Sequence, residues 1–101
     1  MPTYLLYGKF TPEFWQTIRR DPEAAPALVR KMAERSGCLV EHFFFALEEF
    51  DFYAAVSGER PEDLTTVRNQ LMADGAFRAL HAEQLFTFAE LFPGERASVE
   101  A

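Results

Sequence analysis

One histidine stands in a stretch that is apolar apart from it and one glutamate. His42 lies inside the run Leu39-Val40-Glu41-His42-Phe43-Phe44-Phe45. An imidazole there could serve as a general base or ligate a metal or haem, because it titrates near neutral pH and its neutral nitrogen binds metals. The plainer role is a core or interface histidine with one hydrogen-bond partner, since polar groups in apolar strands are usually satisfied structurally. Tyr4, Tyr7, Tyr53 and Trp15 each attach a polar atom to an apolar ring, so they could line a ligand cavity. As a group, such residues more often pack a core. The candidate ligand pocket is Trp15, His42, Tyr53 and Tyr4, with His42 the candidate catalytic base. His81, two residues before Glu83, reads as a pocket edge or as a loop residue.

Other chemistry is thinner. Glu48, Glu49 and Asp51 form an acidic turn. Paired carboxylates do acid–base work when buried, but at a hairpin tip they are solvated charges. Asp51 suits a structural hydrogen bond, because Asp caps turns. The single cysteine, Cys38, follows Gly37 at the start of an apolar run and reads as a small buried residue rather than a nucleophile. There is no Gly-rich phosphate loop, nucleophile elbow or Cys-x-x-Cys pair. None of the local zinc spacings connects His42, His81 and Cys38. The expectation is therefore no metal and no cofactor.

Charge narrows the partners. Sixteen acids against ten Lys and Arg give a net charge of -6, and the pI is near 4.8. That argues against nucleic acid, whose phosphates demand a basic face, and disfavours an anionic membrane surface. Arg19-Arg20 and Arg30-Lys31 are each followed closely by acids and read as solvated helix faces. No apolar run approaches the roughly 18–20 residues that span a membrane. No signal peptide is visible, and with a lone cysteine a soluble chain in the reducing cytoplasm is expected. The 101 residues include eleven Phe and are 49% hydrophobic, too apolar for a disordered chain. One domain over residues 1–92 and a frayed tail over 93–101 fit that length.

The elements that must position these residues follow from local pattern. Residues 3–10 read as a strand in which Gly8 marks a bend or a close approach. Thr11, Pro12 and Glu13 then cap, open and charge a short helix carrying Phe14, Trp15 and Ile18, which Asp21-Pro22 ends. Ala25, Leu28, Val29, Met32 and Ala33 mark a second helix at buried-stripe spacing, closed by Ser36-Gly37. Pro26 is harmless there only in the first turn, so the regular helix begins near residue 25. A strand over 38–47, a turn at Glu48-Glu49-Phe50 and a strand over 51–57 make an antiparallel hairpin. Pro61 opens a third helix with Leu64, Val67, Leu71 and Met72 as its stripe and Gly75 as its stop. Residues 76–82 read as a connector and 83–89 as the last strand. The order strand, helix, strand, strand, helix, strand is the ferredoxin-like βαββαβ arrangement of the α+β class, with an extra short helix after the first strand. One mixed sheet with its two crossover helices on one side is expected.

A strand with one wet face alternates apolar and polar residues, and these strands do not. Strict alternation puts Val40, His42 and Phe44 opposite Leu39, Phe43 and Phe45, and Phe52, Ala54 and Val56 opposite Tyr53 and Ala55. Both faces are then apolar, and helices cover one. The uncovered face exceeds the patch a monomer usually tolerates. The simplest cover is a second copy, giving a homodimer through the open sheet face.

The segments MPTYLLYGKFTPEFW, SGCLVEHFFFALEEFDFYAAV and DGAFRALHAEQLFTFAE resemble the GYD domain family, over about residues 1–90. The resemblance implies a small bacterial protein of the dimeric α/β-barrel, ferredoxin-like group. The naming motif, a hairpin Gly followed closely by Tyr and Asp, falls on Glu48-Glu49-Phe50-Asp51: Asp51 matches, while Glu48 and Phe50 replace Gly and Tyr. Losing the glycine implies a different turn. Two functions fit. One is a non-catalytic dimeric domain that binds a small apolar ligand or a partner. The other, by likeness to dimeric α/β-barrel enzymes, is a cofactor-free monooxygenase or isomerase using His42, Tyr53 and Trp15 on a small organic substrate.

Overall fold

A computed structural model describes residues 1–94 of the chain. The elements are β1 (Thr3–Phe10), α1 (Pro12–Arg20), α2 (Ala24–Arg35), β2 (Leu39–Phe45), β3 (Phe52–Ser57), α3 (Pro61–Asp74), β4 (Phe77–Leu85) and α4 (Phe88–Leu91). The α+β class, the βαββαβ core and the extra helix α1 are as the sequence predicts. Of the tail expected over 93–101, residues 95–101 lie outside the described residues.

Local signals set the helix starts. The Thr11 hydroxyl accepts from Phe14 N at 3.2 Å, and Pro12 occupies the first helical position of α1. Pro26 falls in the first turn of α2, where its missing N–H costs no helical bond. Pro61 opens α3 with Glu62 and Asp63 in the first turn, and Gly75 ends it with φ +89, the left-handed conformation that favours glycine. In α3, Leu64, Val67 and Leu71 are buried while Met72 is exposed.

The sheet order is β2-β3-β1-β4. Every adjacent pair is antiparallel, which corrects the expected mixed sheet. Each helical crossover joins two parallel strands, but a third strand lies between them, so no parallel neighbours hydrogen-bond. One face of the sheet packs on the helices. Tyr4, Leu6 and Phe10 of β1, Phe52, Ala54 and Val56 of β3 and Leu80 of β4 share one core with Ile18, Val29, Met32, Leu64, Val67 and Leu71. Inside it, Phe52 stacks between Phe10 and Phe43 with ring centroids 5.2 and 5.3 Å away.

Gly8 is the close approach its place in β1 suggested. A Cβ there would run into the Ala79 carbonyl of β4. The hairpin between β2 and β3 closes through Ala46 N donating to Asp51 O at 2.8 Å, and no non-glycine residue among those described has positive φ. The turn therefore needs no glycine where Glu48 stands.

Two expectations fail at irregularities. In β2 the register slips between Val40 and His42. This bulge at Glu41 turns Val40, Phe43 and Phe45 to the core and leaves Leu39, His42 and Phe44 on the other face, so strict alternation misplaces both Leu39 and Val40. The last strand spans Phe77–Leu85 rather than 83–89, and the stretch read as a connector is mostly strand. A register shift opposite Lys9 and Phe10 breaks its alternation at Arg78. Beyond it, Thr87 caps α4: its hydroxyl accepts from Glu90 N, and the Glu90 carboxylate accepts from Thr87 N. That Thr-x-x-Glu capping box was a readable signal for a helix.

Candidate functional site

The four candidate pocket residues lie in three places. Tyr4 points into the helix-covered core, and its hydroxyl is buried without a hydrogen-bond partner among the described residues. Burial, with the nearby Cys38, Glu62 and Asp63, pushes its phenol pKa up and keeps it neutral. Trp15 lies half-buried on α1, and its indole Nε1 donates to Asp51 Oδ2 at 3.3 Å. Tyr53 lies on the opposite, open face of the sheet, stacked on Tyr7 with centroids 5.8 Å apart. His42 is exposed on the edge strand β2, its ring 6.0 Å from Phe44. It borders a groove of about 320 Å³ with Glu23, Pro26 and Arg30, and no tyrosine reaches that groove.

The open face carries its side chains in cross-strand rows. Phe44, Tyr53, Tyr7 and His81 face one another across all four strands. The next row is His42, Ala55, Leu5 and Glu83, and the third is Leu39, Ser57, Thr3 and Leu85. Phe50, from the hairpin, closes over the first row. Its ring is 4.8 Å from Tyr7 and 5.6 Å from His81, both edge-on. His81 thus belongs to an aromatic cluster rather than to a loop. Ser57 donates to Glu41 at 2.9 Å, so the bulge residue satisfies the buried hydroxyl of the third row. Phe44 is 63% exposed, and Leu39 and Leu85 are exposed too.

A separate cavity of about 540 Å³ opens where α1 meets the β2–β3 hairpin and the start of β4. Phe10, Pro12, Trp15 and Leu47 form its apolar wall, and Gln16, Arg19, Asp51 and Arg78 its polar part. Asp51 organises it. One carboxylate oxygen, Oδ2, accepts from Phe10 N at 3.0 Å as well as from Trp15. The Asp51 amide donates to Gly8 O at 2.8 Å. The acidic turn therefore contributes one structural carboxylate, as its Asp suggested. Among the described residues, neither Arg19 nor Arg78 pairs with a carboxylate. The sequence reading missed this arrangement. Pro12, Trp15, Gln16 and Arg19 recur at helical spacing and share one face of α1, a signal that could have found most of it. Arg78 reaches it from the irregular start of β4, which no periodicity announces.

Cys38 is buried behind Gly58, where a Cβ would meet its sulfur at 2.9 Å. Burial, and then Asp63, pushes its thiol pKa up, which disfavours the thiolate a nucleophile needs. Among the described residues no group of three or more His, Cys, Asp and Glu could hold a metal ion, and no helix is long and apolar enough to cross a membrane.

The fold is similar to that in the crystal structure of FFRP-DM1, with a TM-score of 0.59 and 14% identity over 85% of this chain and 100% of that one. It is also similar to the solution structure of the C-terminal domain of the MgtC protein from Mycobacterium tuberculosis, with a TM-score of 0.59 and 13% identity over 84% of this chain and 88% of that one. Both likenesses speak to fold alone. None of the curated proteins matches the chain. The GYD domain family matches residues 4–91, nearly the whole of the described chain, and the chain belongs to that family.

Proposed function

We propose that this chain is a non-catalytic binding domain, one unit over residues 1–92, that works as a homodimer with two open sheet faces packed together as a dimeric α/β barrel. The observation that carries this reading is the pair of rows Phe44-Tyr53-Tyr7-His81 and His42-Ala55-Leu5-Glu83, which no helix among the described residues covers. A second copy supplies a surface of the same curvature and chemistry, and two-fold symmetry closes the assembly without leaving a further open face. The buried, lone Cys38 suits the reducing cytoplasm. The catalytic alternative, with His42 as base beside Tyr53 and Trp15, draws less support, because the groove beside His42 contains neither partner. Sedimentation at low micromolar concentration tests the assembly. The expected species has twice the chain mass of 11.6 kDa, and a stable 11.6 kDa species overturns the reading.

A further inference from the structure

We infer that the cavity between α1 and the hairpin binds a small organic carboxylate with an apolar, ring-sized body. This goes beyond the dimer reading, because no residue of the three open-face rows lines the cavity. Three observations point to this ligand class. The volume, about 540 Å³, lies in the range of small-molecule sites. Its wall is apolar: Phe10 and Trp15 meet edge-on at 5.1 Å, and Leu47 at the mouth is 90% exposed, an apolar side chain that a ligand body would cover. Two arginines, Arg19 and Arg78, line it without carboxylate partners among the described residues, in a chain whose net charge is -6.

An acidic chain attracts few anions by its overall field, so discrimination must be local. Arginine presents a planar fork of donors that matches a carboxylate. Asp51 opposes an anion, but the two arginines outnumber it. Its Oδ2 is also turned to Phe10 N and the Trp15 indole, whose hydrogen bonds spread its charge. The indole is held by that bond, so its ring is a fixed wall against which an aromatic body can pack.

Trp15 is the sole tryptophan, so its emission reports on the cavity alone. The probes are phenylacetate, its neutral amide phenylacetamide, acetate and inorganic phosphate, added to the intact chain. The expected result is a saturable change in Trp15 emission, and in its indole N–H resonance, with phenylacetate. Phenylacetamide binds at least about tenfold more weakly, since a lost charge-assisted contact is worth about that factor. Acetate, which keeps the charge but lacks the ring, binds more weakly because it buries no apolar body against the wall. The double variant Arg19→Gln with Arg78→Gln keeps its fold by far-ultraviolet circular dichroism and binds phenylacetate no better than the amide. Equal binding of phenylacetamide, or retention by the double variant, overturns the anion assignment. Acetate or phosphate binding as tightly as phenylacetate overturns the apolar half. No saturable change with any probe removes the site altogether. Sedimentation of the same samples reads the dimer independently of all these outcomes.

Discussion

Asp51 joins three parts of the chain through four backbone and side-chain bonds. Its side chain fastens the β1–α1 junction through Phe10 N and Trp15, and its backbone bridges Gly8 and Ala46. Asp51→Ala leaves the Phe10 amide without its acceptor and frees the indole. A partly buried donor stranded in this way costs about 1–3 kcal/mol. Urea unfolding should show that loss, with a red-shifted Trp15 emission at zero denaturant. An unchanged midpoint would mean that the backbone bonds alone hold the junction. This residue was legible in the sequence because an Asp at a turn has a local reason to be there. His42 was not. Its place between Val40 and Phe44 looked like one apolar face, yet the bulge at Glu41 separates Val40 from it, and the edge position of β2 leaves its ring in solvent. A single unpaired residue reverses every inside–outside assignment on one side of it, and nothing in the run Leu39 to Phe45 marks where that residue falls.

Element boundaries were readable wherever a cap or a proline stated them, and poorly readable at the sheet edges. Pro12, Pro61 and Gly75 delimit their helices as expected. The strand β4 starts later by its pattern than in the structure, because it pairs with β1 alone in the sheet and starts on an irregular register. Its exposed Arg78, His81 and Glu83 hide the alternation a strand normally shows. The β1–β4 pairing also explains Gly8. The backbones meet so closely there that the Ala79 carbonyl occupies the space of a side chain, and the Leu80 Cα would be 3.0 Å from an added Cβ. Both obstacles are backbone, so neither can rotate away. Gly8→Ala should part the two strands and destabilise the fold by about 1–3 kcal/mol or more, as overpacking does. Amide hydrogen exchange should show the loss first in β4. Protection that falls equally in β2 and β4 would mean that the clash acts on the whole sheet instead.

At the scale of the whole molecule, apolar surface exceeds what one chain covers. Helices pack on the core face, while Phe44, Leu39 and Leu85 remain exposed on the other, and α4 buries none of its residues. Leu5 lies in the middle row of that face, on a central strand flanked by Ala55 and Glu83. In a separate chain, a lysine there can carry its ammonium out to water along the sheet surface. Between two packed sheets the same charge loses its water, and a pair with the neighbouring Glu83 offsets that desolvation only in part. Leu5→Lys should therefore shift the sedimenting species toward the 11.6 kDa chain and leave the monomer folded. Thr66→Lys, on the exposed side of α3, adds the same charge elsewhere and should keep the dimer. Mass action supplies a second readout. The wild-type urea midpoint should rise with protein concentration, because dimerisation stabilises the folded state, whereas that of Leu5→Lys should not. A wild-type midpoint independent of concentration, with Leu5→Lys sedimenting like wild type, would leave the open face without a second copy to cover it.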